Sequence, residues 1–302
     1  MSPITETMPR ASISACTFLR NGTQLGFPYI ESISSILPIV DEFVVVVGSG
    51  TDDTLKEIQN LQKTNPKIKI IETIWNDHMR DRGFVYAQQK MIGQYSCTGD
   101  WVFYLEGDEV VHEDELANIV KACNQHLANQ EVEALVFDYH HFYGSPHWLA
   151  CSPAWYRREC RIIRNSIRSY APDGQYWLVT AQHKKPRNPR AALANAHIYH
   201  YGHVRKIDRM REKLNQVSQY WNSPPPESVD YQKIDPKSLK KYHGTHPKCI
   251  QQWLKLNAEA NFSPSNNHRL TSREIKHRLS MKIENILKID LSHKHYTLIG
   301  KN

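Results

Sequence analysis

Along the first half of the chain, short apolar runs alternate with stretches whose apolar residues recur at helical spacing. Ala11 to Phe18 mixes small and apolar residues and predicts a first strand. Tyr29, Ile30, Ile33, Ile36 and Leu37 fall on one helical face, and Pro38 closes that helix. Phe43-Val44-Val45-Val46-Val47 is a β-branched run bounded by Gly48-Ser49-Gly50, the pattern of a strand buried on both faces. Thr51-Asp52-Asp53-Thr54 caps a helix that carries Leu55, Ile58 and Leu61 on one side. Lys67 to Thr73 predicts a third strand and Val85 to Tyr95 a third helix. Strands alternating with helices imply βαβ units, hence an α/β fold around a mostly parallel sheet.

The stretch from Trp101 to Glu113 organises the rest. An apolar run, Trp101 to Leu105, breaks at Glu106-Gly107-Asp108, and His112-Glu113-Asp114-Glu115 reads as the acidic first turn of a helix. If the pleat persists, Glu106 and Asp108 share a face, where two oxygen donors suit Mg2+ or Mn2+ holding a diphosphate. The plainer alternative is a turn in which the Asp caps the next helix. Ligands of such sheets sit at the carboxyl ends of the strands, which lines up Phe18 to Asn21, Gly48 to Asp53 and Glu106 to Asp108 along one rim. No GxGxxG and no Walker loop is present, so neither a dinucleotide nor a P-loop triphosphate is indicated.

Further on, Ala134 to Asp138 predicts a strand and Trp155 to Arg164 a basic, strand-like segment. Asp173-Gly174 marks a turn, and His183 to Arg190 an exposed loop. Ile207, Met210, Leu214 and Val217 mark an amphipathic helix ending near Trp221; Pro247 to Ala260 is a second helix. Thr271 with Glu274 forms a capping-box pattern ahead of a third, which carries Ile275, Leu279 and Ile283. Charge changes the picture. Residues 1–150 hold ten Lys/Arg against twenty Asp/Glu, whereas residues 151–302 hold twenty-eight against eleven, so an anionic partner for the second half is expected. Nucleic acid, a membrane surface and a phosphorylated substrate all qualify. Six cysteines without a CxxC pair fit reduced thiols and a cytoplasmic location. Met1 to Arg10 lacks the apolar core of a secretory signal and reads as a flexible N-terminus.

The Thr17-Phe18-Leu19-Arg20-Asn21 strand end, the Gly48-to-Thr54 turn and Glu106-Gly107-Asp108-Glu109, in this order, resemble the family 2 glycosyltransferases, which adopt the GT-A fold and use nucleotide-diphospho-sugars. With the segment His200 to Arg205 and the basic tail, the whole chain looks like a bacterial subgroup of that family. The resemblance implies a catalytic domain over residues 11–205 and a helical, basic extension over 206–302. It places the donor against Phe18, Arg20, Asn21, Asp52 or Asp53, Gln89 and Arg205. Asp108 would ligate the metal in the family's Asp-x-Asp position, while Glu106 replaces the first Asp and reaches the ribose or the metal. A His after the acceptor region ligates the metal in some relatives, which points to His200 or His203.

Sugar transfer builds negative charge on the departing diphosphate, so a divalent cation and basic side chains such as Arg157, Arg158, Arg161, Arg164 and Arg205 are the expected stabilisers. An inverting enzyme also needs a carboxylate to take the acceptor proton. Asp173 and Glu159 are the candidates, against the plainer roles of turn residue and ion-pair partner. His197, His200 and His203 invite a zinc reading, but on a regular strand His200 would face away from the other two. The amphipathic helices over 207–221 and 271–289 read as core and cover for the sheet; the alternative is a membrane-surface role at the inner face of the membrane, from their Lys/Arg-rich polar sides. Two rivals stand beside transfer. One is a nucleotidyltransferase, which lacks its triphosphate loop here, and the other an inactive module binding nucleic acid or membrane through the basic half.

Overall fold

The computed structural model describes residues 10–180, 185–225, 227–259 and 261–299. Most of the expected N-terminal segment and the start of the loop from His183 lie outside the described residues.

Three apolar strands form the parallel centre of the sheet: β1 (Ile13–Leu19), β2 (Glu42–Gly48) and β3 (Ile68–Thr73), joined by α1 (Tyr29–Ile36) and α2 (Thr54–Thr64). Next, α3 (Phe84–Tyr95) leads back to β4 (Trp101–Tyr104), which pairs parallel with the other edge of β1. Side-chain alternation along these strands feeds two cores. Ala15, Phe43, Val45 and Phe103 pack beneath α1, α2 and α4 (Leu116–His126), while Cys16, Val44, Val46 and Tyr104 pack under α3. Burial on both faces explains why these strands read as continuous apolar runs.

After β4 the chain turns at Glu106 to Asp108, then enters a short strand, β5 (Glu109–Val111). Three long strands follow: β6 (Ala134–Tyr143), β7 (Ser145–Ala150) and β8 (Arg158–Arg164). β8 sits antiparallel between β4 and β6, so the sheet becomes mixed. Two small strands, β9 (Ser169–Tyr170) and β10 (Leu178–Val179), form a separate ribbon around the Asp173-Gly174 turn. The longest strand, β11 (Arg190–His203), pairs parallel with β6 and antiparallel with β5. β11 is therefore the element that faces the Glu106–Glu109 turn.

Beyond it come α5 (Ile207–Ser218), β12 (Leu239–Lys241), α6 (Gln251–Asn257), α7 (Ser272–Leu287) and β13 (Thr297–Leu298). The segment after residue 205 is not helical alone: β12 joins β7, and β13 joins β11. Single-residue periodicity gave no warning of strands two or three residues long. The tail also packs on the sheet, with Met210 of α5 buried beside Tyr231, Leu239 and Phe262.

Candidate active site

The sheet pleat stops at Tyr104, and Glu109 N–H closes a turn onto the Glu106 carbonyl at 3.0 Å. Glu106 and Asp108 therefore do not present one pair of oxygens to one ion, as the extended pattern predicted. Each has its own cation. Arg161 of β8 is fully buried and reaches Glu106 Oε1 at 3.0 Å, and it grips Glu109 through Nε and Nη2, both at 2.8 Å. Tyr139 also donates to Glu109, at 2.7 Å. Burial and then the neighbouring Glu109 charge push the Glu106 carboxyl up to about 8, with Arg161 opposing. Glu109 is likewise penalised by burial, but Arg161 outweighs it and keeps this carboxyl low.

Asp108 is buried, and Lys213 of α5 donates to its Oδ2 at 3.0 Å. Arg205 approaches the same oxygen at 3.4 Å while its other nitrogens hold the Gly202 and Gly26 carbonyls. Burial alone would raise Asp108; Lys213, His200 and Arg205 together hold it well below the usual carboxylate range. Asp108 does not cap the following helix, since His112 Nδ1 accepts from Asp114 N–H in that place.

Across the turn stands His200, paired through β11 with Glu109. His141 donates from Nε2 to the Tyr156 carbonyl at 2.8 Å, because that oxygen can only accept. Burial, then the nearby His200, keeps the His141 ring neutral. Its Nδ1 is therefore the acceptor for His200 Nδ1–H at 2.9 Å. His200 Nε2 is in turn directed toward Asp108 Oδ1, 3.6 Å away. A carboxylate oxygen and an oriented imidazole nitrogen at that separation fit one divalent ion, whose second nitrogen partner is already fixed. Mg2+ and Mn2+ sites of this type use few protein donors and fill the remainder with phosphate oxygens and water. The donor set fits the expected metal with Asp108 and His200. Among the described residues no group of three His, Cys, Asp or Glu side chains is assembled.

His203 stands apart. A β-bulge puts His200 opposite His141 and His203 opposite Tyr143, so the two rings lie on the same face, contrary to regular strand parity. Even so, the ring centroids are 6.3 Å apart, and His203 packs against Tyr143 and Trp155. His197 points the other way, bonded to Glu115 and stacked on His140, so the three do not share an ion.

The remaining rim residues gather at the ends of β1, β2 and β3. Phe18 stacks with Tyr86 and Tyr104 at centroid distances of 5.5 and 6.1 Å. Arg20 donates to the Ser49 carbonyl, pairs with Asp77 and lies 5.3 Å over Trp75. Asn21, at φ 54°, accepts from Thr51 N–H. Asp52 accepts from Gln24 and Thr54 N–H, tying the loop after β1 to the start of α2. Asp53 is exposed, and Gln89 is buried against Thr73. An open pocket of about 460 Å³ lies at the β2 and β3 ends, lined by Gly48, Ser49, Gly50, Asp52, Glu72 and Thr73 among others. That volume suits a nucleoside.

Of the two base candidates, Glu159 is buried and bonded to His295 Nδ1 at 2.6 Å. Asp173 accepts from Gln175 N–H as a turn residue, yet its turn lies over the rim. A Cβ on Gly174 would come within 2.9 Å of Tyr86 and 3.4 Å of Phe18. Four residues were missed: Lys213, His141, Glu109 and Lys90. Lys90 is buried between Tyr104 and Trp177, 4.2 and 3.9 Å from their centroids, and has no hydrogen-bond partner among the described residues. Burial first, then Arg161, lowers it to about 7. A helical-wheel reading of α5 places Lys213 beside Met210 and Leu214, the one signal that could have found it.

A mixed, mostly parallel sheet flanked by helices, with a carboxylate turn after its fourth strand and cations gathered opposite, makes this an α/β protein with its candidate site at the strand ends. Residues 29–137, Asp108 among them, match the model of the family described as glycosyl transferase family 2. No curated protein matches the sequence. Among solved structures, S. aureus TarS residues 1–349 in complex with UDP aligns at 13% identity and a TM-score of 0.35, covering 51% of this chain and 47% of that one. The same TarS portion without UDP aligns at 12% identity and 0.39, covering 69% and 65%. A mannosyltransferase from Pyrobaculum calidifontis in complex with GDP-Man and Mn2+ aligns at 20% identity and 0.35, covering 52% and 45%. The chain spans less than two thirds of the length of each of these structures.

Proposed function

We propose that the protein transfers a sugar from a nucleotide-diphospho-sugar to an acceptor hydroxyl, with inversion at the anomeric carbon. The family match across the Glu106–Asp108 turn carries this reading, because it covers the residues that meet His200, Arg205 and Lys213. Phe18, Arg20, Asn21 and Asp52 bind the nucleoside at the β1 and β2 ends. Gln89 and Glu106 border the sugar and ribose beside them, and Asp53 lies at the outer edge.

Asp108 and His200 hold Mn2+ or Mg2+, which supplies positive charge to the diphosphate when bound. Lys213 and Arg205 add fixed charge on the same side, in a buried setting where it is little screened. The acceptor oxygen bonds to the anomeric carbon as the bond from that carbon to the diphosphate oxygen breaks, and the electron pair leaves with the diphosphate. Asp173, on the turn over the rim, takes the acceptor proton; Glu159, tied to His295, is the weaker candidate for that step. The setting is the cytoplasm, where all six cysteines remain free thiols.

A thermal-shift panel of UDP-, GDP-, CMP- and dTDP-sugars, with and without Mn2+, tests the reading. One donor is expected to stabilise the protein only when both Mn2+ and Asp108 are present, by ~2.7 kcal/mol at a hundredfold excess over Kd. The control is Asp108→Ala measured against its own baseline. No response to any donor, with salt-sensitive RNA binding instead, would transfer the weight to an inactive binding module.

A further inference from the structure

Helix α7 is mounted inside out. Its polar side faces the protein: Arg278 grips Asp235 through two contacts of 2.7 Å, and Glu284 takes both terminal nitrogens of Arg157 at 2.8 and 2.7 Å. Glu274 closes the capping box on Thr271 and also binds His268. The apolar side faces outward. Ile275 is 56% exposed, Leu279 60%, Ile286 77% and Leu287 60%. At ~100° per residue Ile275, Leu279, Ile283 and Ile286 share one narrow stripe. Ile289 and Leu291, also exposed, continue it past the helix end. Lys276 and Lys282 flank the stripe, and Arg273 and Lys288 stand near its two ends; all four are exposed and pair with no carboxylate among the described residues.

We propose that this face docks on an anionic lipid surface, with α7 lying in the plane of the headgroups. An apolar stripe with lysines along its borders matches that environment: the aliphatic side chains enter the acyl boundary while the ammonium groups reach up to phosphates. A second copy of the chain fits less well. Two-fold pairing of this face with itself would set the same lysines against one another. Ion pairs on the inward side fix the helix to the sheet through Arg157, which precedes β8, so membrane contact would also orient the rim.

The test uses the full chain and vesicles of phosphatidylcholine, alone or mixed with phosphatidylglycerol, in a co-sedimentation assay at low and high salt. The chain is expected to partition onto the anionic vesicles and to leave them at high salt. Leu279→Glu with Ile286→Glu should weaken partition roughly tenfold or more, and Lys276→Glu with Lys282→Glu similarly, since acyl burial and lipid charge both contribute. These side chains are exposed, so circular dichroism and unfolding midpoints should stay at the parent values. Absence of binding to anionic vesicles, or equal binding by the Leu279/Ile286 pair variant, overturns the proposal. A concentration-dependent dimer abolished by the same pair, without vesicle binding, would instead identify a second copy as the occupant.

Discussion

Asp108 and Arg161 show how much of this site depends on buried charge. Arg161 has no exposed surface, and Glu109, its main partner, has none either. Removing the guanidinium with Arg161→Met strands two carboxylates, and a broken buried pair costs ~3–5 kcal/mol. Urea unfolding should show that loss as a lower midpoint with an unchanged slope. Gly202 makes a finer probe. A Cβ there would sit 2.5 Å from His200 Nε2 and 3.2 Å from Asp108 Oδ2, in the gap assigned to the metal. Gly202→Ala is expected to lose the Mn2+-dependent stabilisation by donor and, because the His200 ring must shift, about 1–3 kcal/mol of ligand-free stability as well. Retained Mn2+ dependence would place the ion elsewhere.

At the scale of elements, α5 matters because it brings a cation into a site built by strands. Lys213 reaches Asp108 from the second turn of a helix that begins after the expected end of the catalytic domain. A cut at residue 205 would therefore remove part of the candidate site as well as a tail. Lys213→Met should weaken binding of the nucleoside diphosphate by roughly tenfold to a hundredfold, as a charge-assisted hydrogen bond of ~1.5–3 kcal/mol predicts. Isothermal titration with the diphosphate, free of any turnover, checks it. The bulge in β11 is the other decisive element, since it turns His203 to the face of His200 while leaving it outside reach of the carboxylate.

Over the whole molecule, the charge asymmetry of the sequence has a partly internal outlet. Carboxylates of the first half pair with cations of the second: Glu133 with Arg187 and Arg190, Asp138 with Arg158, Glu106 and Glu109 with Arg161, and Asp108 with Arg205 and Lys213. Titration of the fold should show two separate acid windows. Burial first, then a neighbouring His in each case, depresses His140 and His246 from 6.5 to about 4. The unfolded chain binds these protons at a higher pH than the native one, so stability falls as pH drops from 6.5 towards 4, with a slope of up to ~1.4 kcal/mol per unit for each ring. His140→Gln should flatten that slope. Glu42 and Glu274 act lower. Burial opposes the shift in both, but Lys69, Ser14 and Thr98 around one, and Thr271 and His268 around the other, carry them to about 2. Their contribution is present above 4.5 and is lost as pH falls through 2. Denaturant midpoints between pH 7 and pH 2 would resolve both windows.

The alternation of β-branched runs and helical spacing from Ala11 to Tyr104 determined the parallel half of the sheet, because buried strands and amphipathic helices each leave a local period in the chain. The same logic located the rim at the strand ends, with Phe18, Asn21, Asp52 and Asp108 on it. Tertiary structure alone decided who meets whom there. Which cation faces which carboxylate depends on the antiparallel insertion of β8, the crossing of β11 and the docking of α5, contacts between residues as far apart as Asp108 and Lys213. Long-range pairing and a bulge leave no period in a sequence, and a histidine's role depends on what its second nitrogen touches. Helix α7 shows the reverse case: its stripe was plain in the sequence, and only the fold turned that stripe toward solvent, because charged side chains on the opposite face found their partners in Arg157 and Asp235.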